Sequence, residues 1–148
     1  MAAATRPEIC NCLAIRQAAR HVTQFYDQCM APTGLRTSQF SILARLKRRG
    51  PLTINVLAHE LVMDRTTLGR NILPLEREGL IEIRAGRTDR RSKELHLTDA
   101  GAARLPAAAE RWTEAQSRFE AAFAPARAAE LRALMHEVAT SDLAAASG

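Results

Sequence analysis

The apolar positions of this chain change period partway along it. Leu57, Ala58 and Leu61 recur at helical spacing, and so do Leu68, Ile72 and Leu75. Beyond them, Leu80-Ile81-Glu82-Ile83 and Glu94-Leu95-His96-Leu97-Thr98 are short runs in which Leu95 and Leu97 share one side. The pattern predicts two short helices separated by a turn, then a β-hairpin. Thr53 and Asp64 stand where N-caps would start those helices, the first reaching His59 or Leu61 and the second Glu78. Gly79 ends the second helix, and Pro74 inside it cannot donate to the Arg70 carbonyl, which predicts a bend. The loop between the strands, Arg84-Ala85-Gly86-Arg87-Thr88-Asp89-Arg90-Arg91-Ser92-Lys93, is basic, and Gly86 permits a tight geometry. His96 reads as a solvent-facing strand residue.

The flanks carry longer helical patterns. Residues 1–7 offer nothing to bury and read as disordered, and residues 8–31 read as one helix with Ile15, Ala18, Val22, Phe25 and Cys29 inward. Pro32-Thr33-Gly34 ends it. Ser38 is the candidate cap of a helix to Arg49 with Phe40, Leu43 and Leu46 inward, stopped by Gly50-Pro51. Thr98 can cap a long helix over 99–123, with Leu105, Trp112, Ala115, Phe119 and Ala122 on its apolar face. Pro125 suits the first turn of a last helix striped by Leu131, Leu134, Met135 and Val138. The fold class is therefore mainly α with a small β-hairpin wing. Its parts are an N-terminal dimerisation helix over 8–34, a winged helix-turn-helix lobe over 35–98, and C-terminal dimerisation helices over 99–145. The alternative use of the long helices is a monomeric bundle.

Composition sharpens this picture in two ways. Of the 148 residues, 47% are apolar but only 4% aromatic, and alanine makes up much of the rest. Alanine allows close helix packing yet buries little area, so stability is expected to come partly from a second copy of the chain. The net charge of +5 suits nucleic acid or an acidic surface without choosing between them. Its distribution is more telling: Arg45, Lys47, Arg48 and Arg49 form one cluster, and Arg84, Arg87, Arg90, Arg91 and Lys93 another. Three cysteines, at Cys10, Cys12 and Cys29, do not resemble a secreted disulfide scaffold. No apolar run is long enough to span a bilayer and no signal-peptide pattern precedes the first helix, so a cytoplasmic protein without a membrane partner is expected. Motifs for phosphate cradling, catalytic zinc or acyl transfer are not visible, so neither an enzyme nor a cofactor is expected.

The ordered set of motifs resembles the MarR family of transcriptional regulators. The residues that carry the resemblance are Gly34-Leu35, Gln39-Phe40, Leu57-Ala58, Asp64-Arg65-Thr66-Thr67-Leu68 and Leu75-Glu76-Arg77-Glu78-Gly79-Leu80. Asp89-Arg90-Arg91 follows, then Leu95, Leu97, Thr98, Ala100 and Gly101. The resemblance covers about residues 9–138. It implies a homodimeric winged helix-turn-helix protein on pseudo-palindromic double-stranded operator DNA, commonly a repressor relieved by a small ligand.

Candidate DNA-binding residues come from two places. Arg65, Thr66, Thr67, Arg70 and Asn71 begin the helix after Asp64, with donors and acceptors suited to base edges or phosphates. Helix capping and phosphate contact are the alternative for Thr66 and Thr67. Arg87, Arg90 and Arg91 sit where a wing tip would track phosphate or enter the minor groove. By resemblance, Asp89 supports the wing by a salt bridge to a neighbouring arginine. Ser38 could receive a phosphate at a helix start, or simply cap that helix.

Three kinds of signal compete. Arg16 and Arg20 lie one helical turn apart, with His21 and Thr23 nearby, and could pair with the carboxylate of a small organic acid, which the family resemblance implies is an aromatic carboxylate or phenolic acid. Structural ion pairs are the alternative role for the two arginines. Cys12 falls where the hydroperoxide-sensing branch of the family carries its reactive cysteine, but Thr37 and Phe40 stand where that branch has tyrosines. Cys12 is thus a redox candidate or a small packed residue. His21, His59, His96 and His136 are too scattered to suggest a metal site. A winged-helix interaction protein without DNA affinity is the remaining alternative.

Overall fold

The structure, a computed structural model, describes residues 6–145. Residues 1–5 of the expected disordered start lie outside that range, and Pro7–Ile9 form one 3-10 turn. Helix α1 spans Asn11–Met30. It starts later than the apolar pattern suggested because Cys10 is extended, and its Sγ accepts the Leu13 amide at 3.4 Å. Helix α2 spans Thr37–Arg49. Its cap position is Arg36 and not the expected Ser38, which lies inside the first turn. Two of the amides exposed there are taken by side chains. Gln39 Oε1 accepts the Arg36 N–H at 2.9 Å, and Asp27 of α1 accepts the Thr37 N–H at 2.8 Å.

Strand β1, Leu52–Thr53, leads directly into α3, Ile54–Leu61, which Thr53 caps through the Val56 amide at 3.2 Å. Helix α4, Arg65–Arg77, runs through Pro74 without interruption. Strands β2, Ile81–Ala85, and β3, Lys93–Leu97, form the hairpin. The sheet has three antiparallel strands in the order β1-β3-β2, so the expected hairpin gains a third strand. Ile81 pairs with Leu97 and Ile83 with Leu95, which puts their apolar side chains on one face. That face meets α2 and α4 in a core that contains Ile42, Leu43, Leu46, Leu57, Leu68, Ile72, Leu75 and Leu95.

Helix α5, Asp99–Phe123, begins against this lobe. Thr98 Oγ1 accepts the Gly101 amide at 3.0 Å and donates to the Gly79 carbonyl at 2.6 Å. A Cβ on Gly101 would lie 2.1 Å from the Leu80 carbonyl oxygen, so only glycine lets the helix approach this closely. Helix α6, Pro125–Thr140, folds back along α5 and α1. Ala108, Ala115 and Ala128 are buried along these helices, while Ile15, Trp112, Leu131, Leu134 and Val138 stay exposed. Of the α1 positions expected inward, only Cys29 is fully buried, and Ile15 and Ala18 face solvent. Ile15 and Ala18 are left uncovered by the described residues of one chain.

Candidate nucleic-acid interface

The segment between α3 and α4 is a tight turn. Val62 closes α3 in the left-handed conformation at φ 52°, and the Met63 amide returns to the Ala58 carbonyl at 2.9 Å. Asp64 then caps α4: its Oδ1 accepts the Thr67 amide and its Oδ2 the Thr67 hydroxyl, both at 2.8 Å. The hydrogen bond from the Thr67 amide, followed by that from its hydroxyl, holds the Asp64 carboxyl below the usual carboxylate range. This capping aims the first turn of α4 outward. Arg65, Thr66, Thr67 and Arg70 are exposed on it, while Leu68, Ile72 and Leu75 anchor the opposite face.

The wing turns over a few residues. Gly86 donates to the Ser92 carbonyl at 2.9 Å, and a Cβ on Gly86 would lie 2.1 Å from the Ser92 hydroxyl. Asp89 accepts the Arg91 amide at 2.9 Å, and its carbonyl takes the Ser92 amide and hydroxyl. The salt bridge expected of Asp89 is replaced by this backbone contact, and among the described residues it makes no ion pair. Two arginines of the hairpin do pair: Arg84 with Glu82 at 2.6 Å on β2, and Arg87, whose Nε lies 3.0 Å from Glu94 Oε1. His96 Nε2 approaches the same oxygen at 2.8 Å, and both Glu94 and His96 are largely covered. His96 is therefore not the solvent-facing residue its alternation suggested: two wing side chains converge on one buried carboxylate. Arg90 and Arg91 project without an ion pair among the described residues.

Between wing and α4 lies a cleft of about 530 Å³. Arg65, Thr66 and Gly69 line one wall, Arg91 and Lys93 the other, and Ile54 and Asn55 of α3 the floor. Three cations and one carboxylate, Asp89, border it. The positive field and exposed donors suit a strand of phosphodiester backbone beside the helix. Asn55 and Lys93 were missing from the sequence-derived set. Lys93 carried a signal in the basic hairpin, whereas Asn55 reaches the cleft only because β1 pairs with β3.

Other candidates fall elsewhere. Ser38 donates its hydroxyl to Asn71 Oδ1 at 2.8 Å, and Asn71 Nδ2 donates to the Thr67 carbonyl at 2.9 Å. Arg45 and Arg49 from the other basic cluster pair with Glu60 on α3, away from this cleft. Arg16 and Arg20 are exposed on α1, and Arg20 Nε donates to the Arg16 carbonyl at 3.3 Å. Neither arginine nor Thr23 borders the cavities described here. His21 does: it lines a groove of about 640 Å³ with Phe25, Arg118, Phe119 and Phe123. Cys12 is exposed in the first turn of α1. Among the described residues, no cluster of three or more His, Cys, Asp or Glu could hold a metal. No described helix is long and apolar enough to cross a membrane.

The comparisons with known proteins agree with this geometry. The sequence model of the MarR family matches residues 35–93, which enclose the helix-turn-helix and most of the wing. The chain is 34% identical over 84 residues to the uncharacterized HTH-type transcriptional regulator YwoH of Bacillus subtilis, spanning 57% of this chain and 61% of that protein. The DNA complex of the Mycobacterium tuberculosis transcriptional regulator MosR is similar with a TM-score of 0.78 and 34% identity, over 88% of this chain and 93% of MosR. At the level of fold alone, Bordetella bronchiseptica BpsR, whose DNA binding is regulated by 6-hydroxynicotinic acid, gives a TM-score of 0.82 at 18% identity. That match covers 95% of this chain and 100% of BpsR. The chain belongs to the MarR family of DNA-binding transcriptional regulators.

Proposed function

We propose that this chain is a cytoplasmic homodimeric repressor that binds a pseudo-palindromic operator and is released by a small aromatic carboxylate or phenolic acid. The observation that carries the DNA reading is the cationic cleft between α4 and the wing. In this reading Arg70, with Thr66 and Arg65, meets base edges or phosphates in the major groove. Arg87, Arg90 and Arg91 hold the flanking backbone or minor groove. Dimerisation is supported by the unfilled apolar face of α1, α5 and α6, where a further groove of about 610 Å³ is lined by Ile15, Val22, Leu131, Met135 and Val138. Catalysis has no part in this function.

The effector would enter the groove that contains His21. Arg118 stacks over Phe25 at 4.8 Å, which offers a cation beside aromatic walls. Arg16 and Arg20 then contribute at most from outside. Binding anisotropy on a duplex selected by the protein from a randomised pool tests the DNA reading. Affinity should fall steeply with salt, and Arg91→Ala should reduce the slope by about one counterion. Arg70→Ala should relax preference at one base pair, worth roughly 1–3 kcal/mol. Salt-independent or absent binding would instead favour a winged-helix interaction protein. Calorimetry with aromatic acids on the wild type and Arg118→Ala tests the effector.

A second reading rests on the exposure of Cys12 in the first turn of α1, beside exposed Cys10. Peroxide would oxidise the Cys12 thiolate to a sulfenic acid, itself being reduced to the alcohol or water. Operator release by peroxide that Cys12→Ser abolishes would establish it.

A further inference from the structure

The candidate base reader Asn71 uses its side chain inside the protein. Its Oδ1 accepts the Ser38 hydroxyl proton at 2.8 Å, and its Nδ2 donates to the Thr67 carbonyl at 2.9 Å. Two bonds at opposite ends of a planar amide fix its orientation. Asn71 is half-buried, whereas Thr66 and Arg70 on the same helix are exposed. The Ser38 hydroxyl has likewise given away its proton. The neighbouring Thr37 amide is held by Asp27 of α1 at 2.8 Å, a carboxylate at the positive end of α2.

We infer that Ser38 and Asn71 are positioning residues that set α4 against the start of α2, and through Asp27 against α1. The polar links run without a gap from Asp27 to Thr37, from adjacent Ser38 to Asn71, and from Asn71 to Thr67 and its cap Asp64. The remaining contacts among these helices are apolar. Leucine-on-leucine packing is non-directional and tolerates small rolls and slides, while hydrogen bonds tolerate little. The polar chain therefore decides the angle at which Thr66 and Arg70 are presented. It also ties that angle to α1, whose outer face is unfilled. This assignment rests on the DNA-binding reading and adds a role for two residues that need not touch DNA.

The test uses the full-length protein and a duplex selected by the wild type from a randomised pool. Ser38→Ala should weaken binding roughly three- to tenfold, the loss of one directional bond, and Asn71→Ala, which removes two, at least as much. The double variant should be no weaker than the weaker single variant, because both remove the same link. Salt slopes should stay parallel to the wild type, and any change in base preference should be the same in both variants. Thermal unfolding should show each variant folded. A lowered slope with Ser38→Ala would make Ser38 a phosphate contact and overturn the inference. Altered preference at one base pair with Asn71→Ala that Ser38→Ala does not share would make Asn71 a base reader and do the same. Additive losses, or lowered stability with unchanged affinity, would also overturn it. Failure of the wild type to select any duplex would overturn the DNA reading first, and this inference with it.

Discussion

The winged lobe and the terminal helices of this chain are built on opposite economies. In the lobe, Leu43 and Leu57 are 0% exposed, and large side chains from three helices and a sheet meet in one core. Along α5 and α6 the buried side chains are alanines, α1 buries only Cys29 and Met30 at its C-terminal end, and Leu134 remains 54% exposed. Alanine brings helix backbones close but removes little apolar area from water, so these helices gain less from packing within one chain. The lobe is a finished domain core. The helices read as half of one, and the difference teaches where a second copy would contribute.

Removing α6 tests that contrast most severely. A chain ending after Ala124 loses the stripe of Leu131, Leu134 and Val138, and light scattering should report one chain mass where the full chain reports two. A full-length chain that stays monomeric at micromolar concentration would break the comparison. Next in size are core truncations. Leu43→Ala should cost about 2–5 kcal/mol in denaturant unfolding at any protein concentration. Leu134→Ala should cost less than about 0.5 kcal/mol in dilute protein, where the exposed stripe is unpaired. At high concentration its cost should grow, and equal losses at both concentrations would place Leu134 in an intrachain core.

The helix-turn-helix offers two smaller effects. Asp64 is held in its charged form by the Thr67 hydrogen bonds, so its folded-state pKa lies below the unfolded one. Its stabilisation is present above the unfolded value, about pH 3.9, and is lost as pH falls through the folded value. Asp64→Asn keeps an acceptor without a charge, so wild type and variant should converge in stability from about pH 4 downward. A gap that does not narrow would deny the carboxylate this role. Smallest is Val62→Gly. Val62 is β-branched, 71% exposed and left-handed at φ 52°. Relieving that conformation should raise stability by up to about 1 kcal/mol, since little burial is lost.

Several features were legible because they depend on neighbours in sequence. Thr53, Asp64 and Thr98 each cap a helix through an amide three residues on, and the structure has all three bonds. The period change from helix to hairpin and the basic loop were equally local. The same locality misled at Ser38, where a good capping residue is the second residue of a helix that starts at Thr37 and has its cap position at Arg36. A competing partner, Asp27, serves the Thr37 amide.

What the sequence by itself determined was the order of the helices and of the two hairpin strands, the caps at Thr53, Asp64 and Thr98, and the family to which they belong. Those follow from hydrophobic period and from bonds spanning three or four residues. Tertiary structure alone decided that Leu52 and Thr53 form a strand, because their partners Leu95 and Glu94 are some forty residues away. It also decided that Asn71 turns toward Ser38, and that Arg87 and His96 share the buried carboxylate of Glu94. Arg16 and Arg20 stay on an open helix face while Arg118 reaches a groove, again a matter of how helices cross. A side chain's partner is set by which surfaces packing brings together, and the local pattern encodes only the surface each element offers.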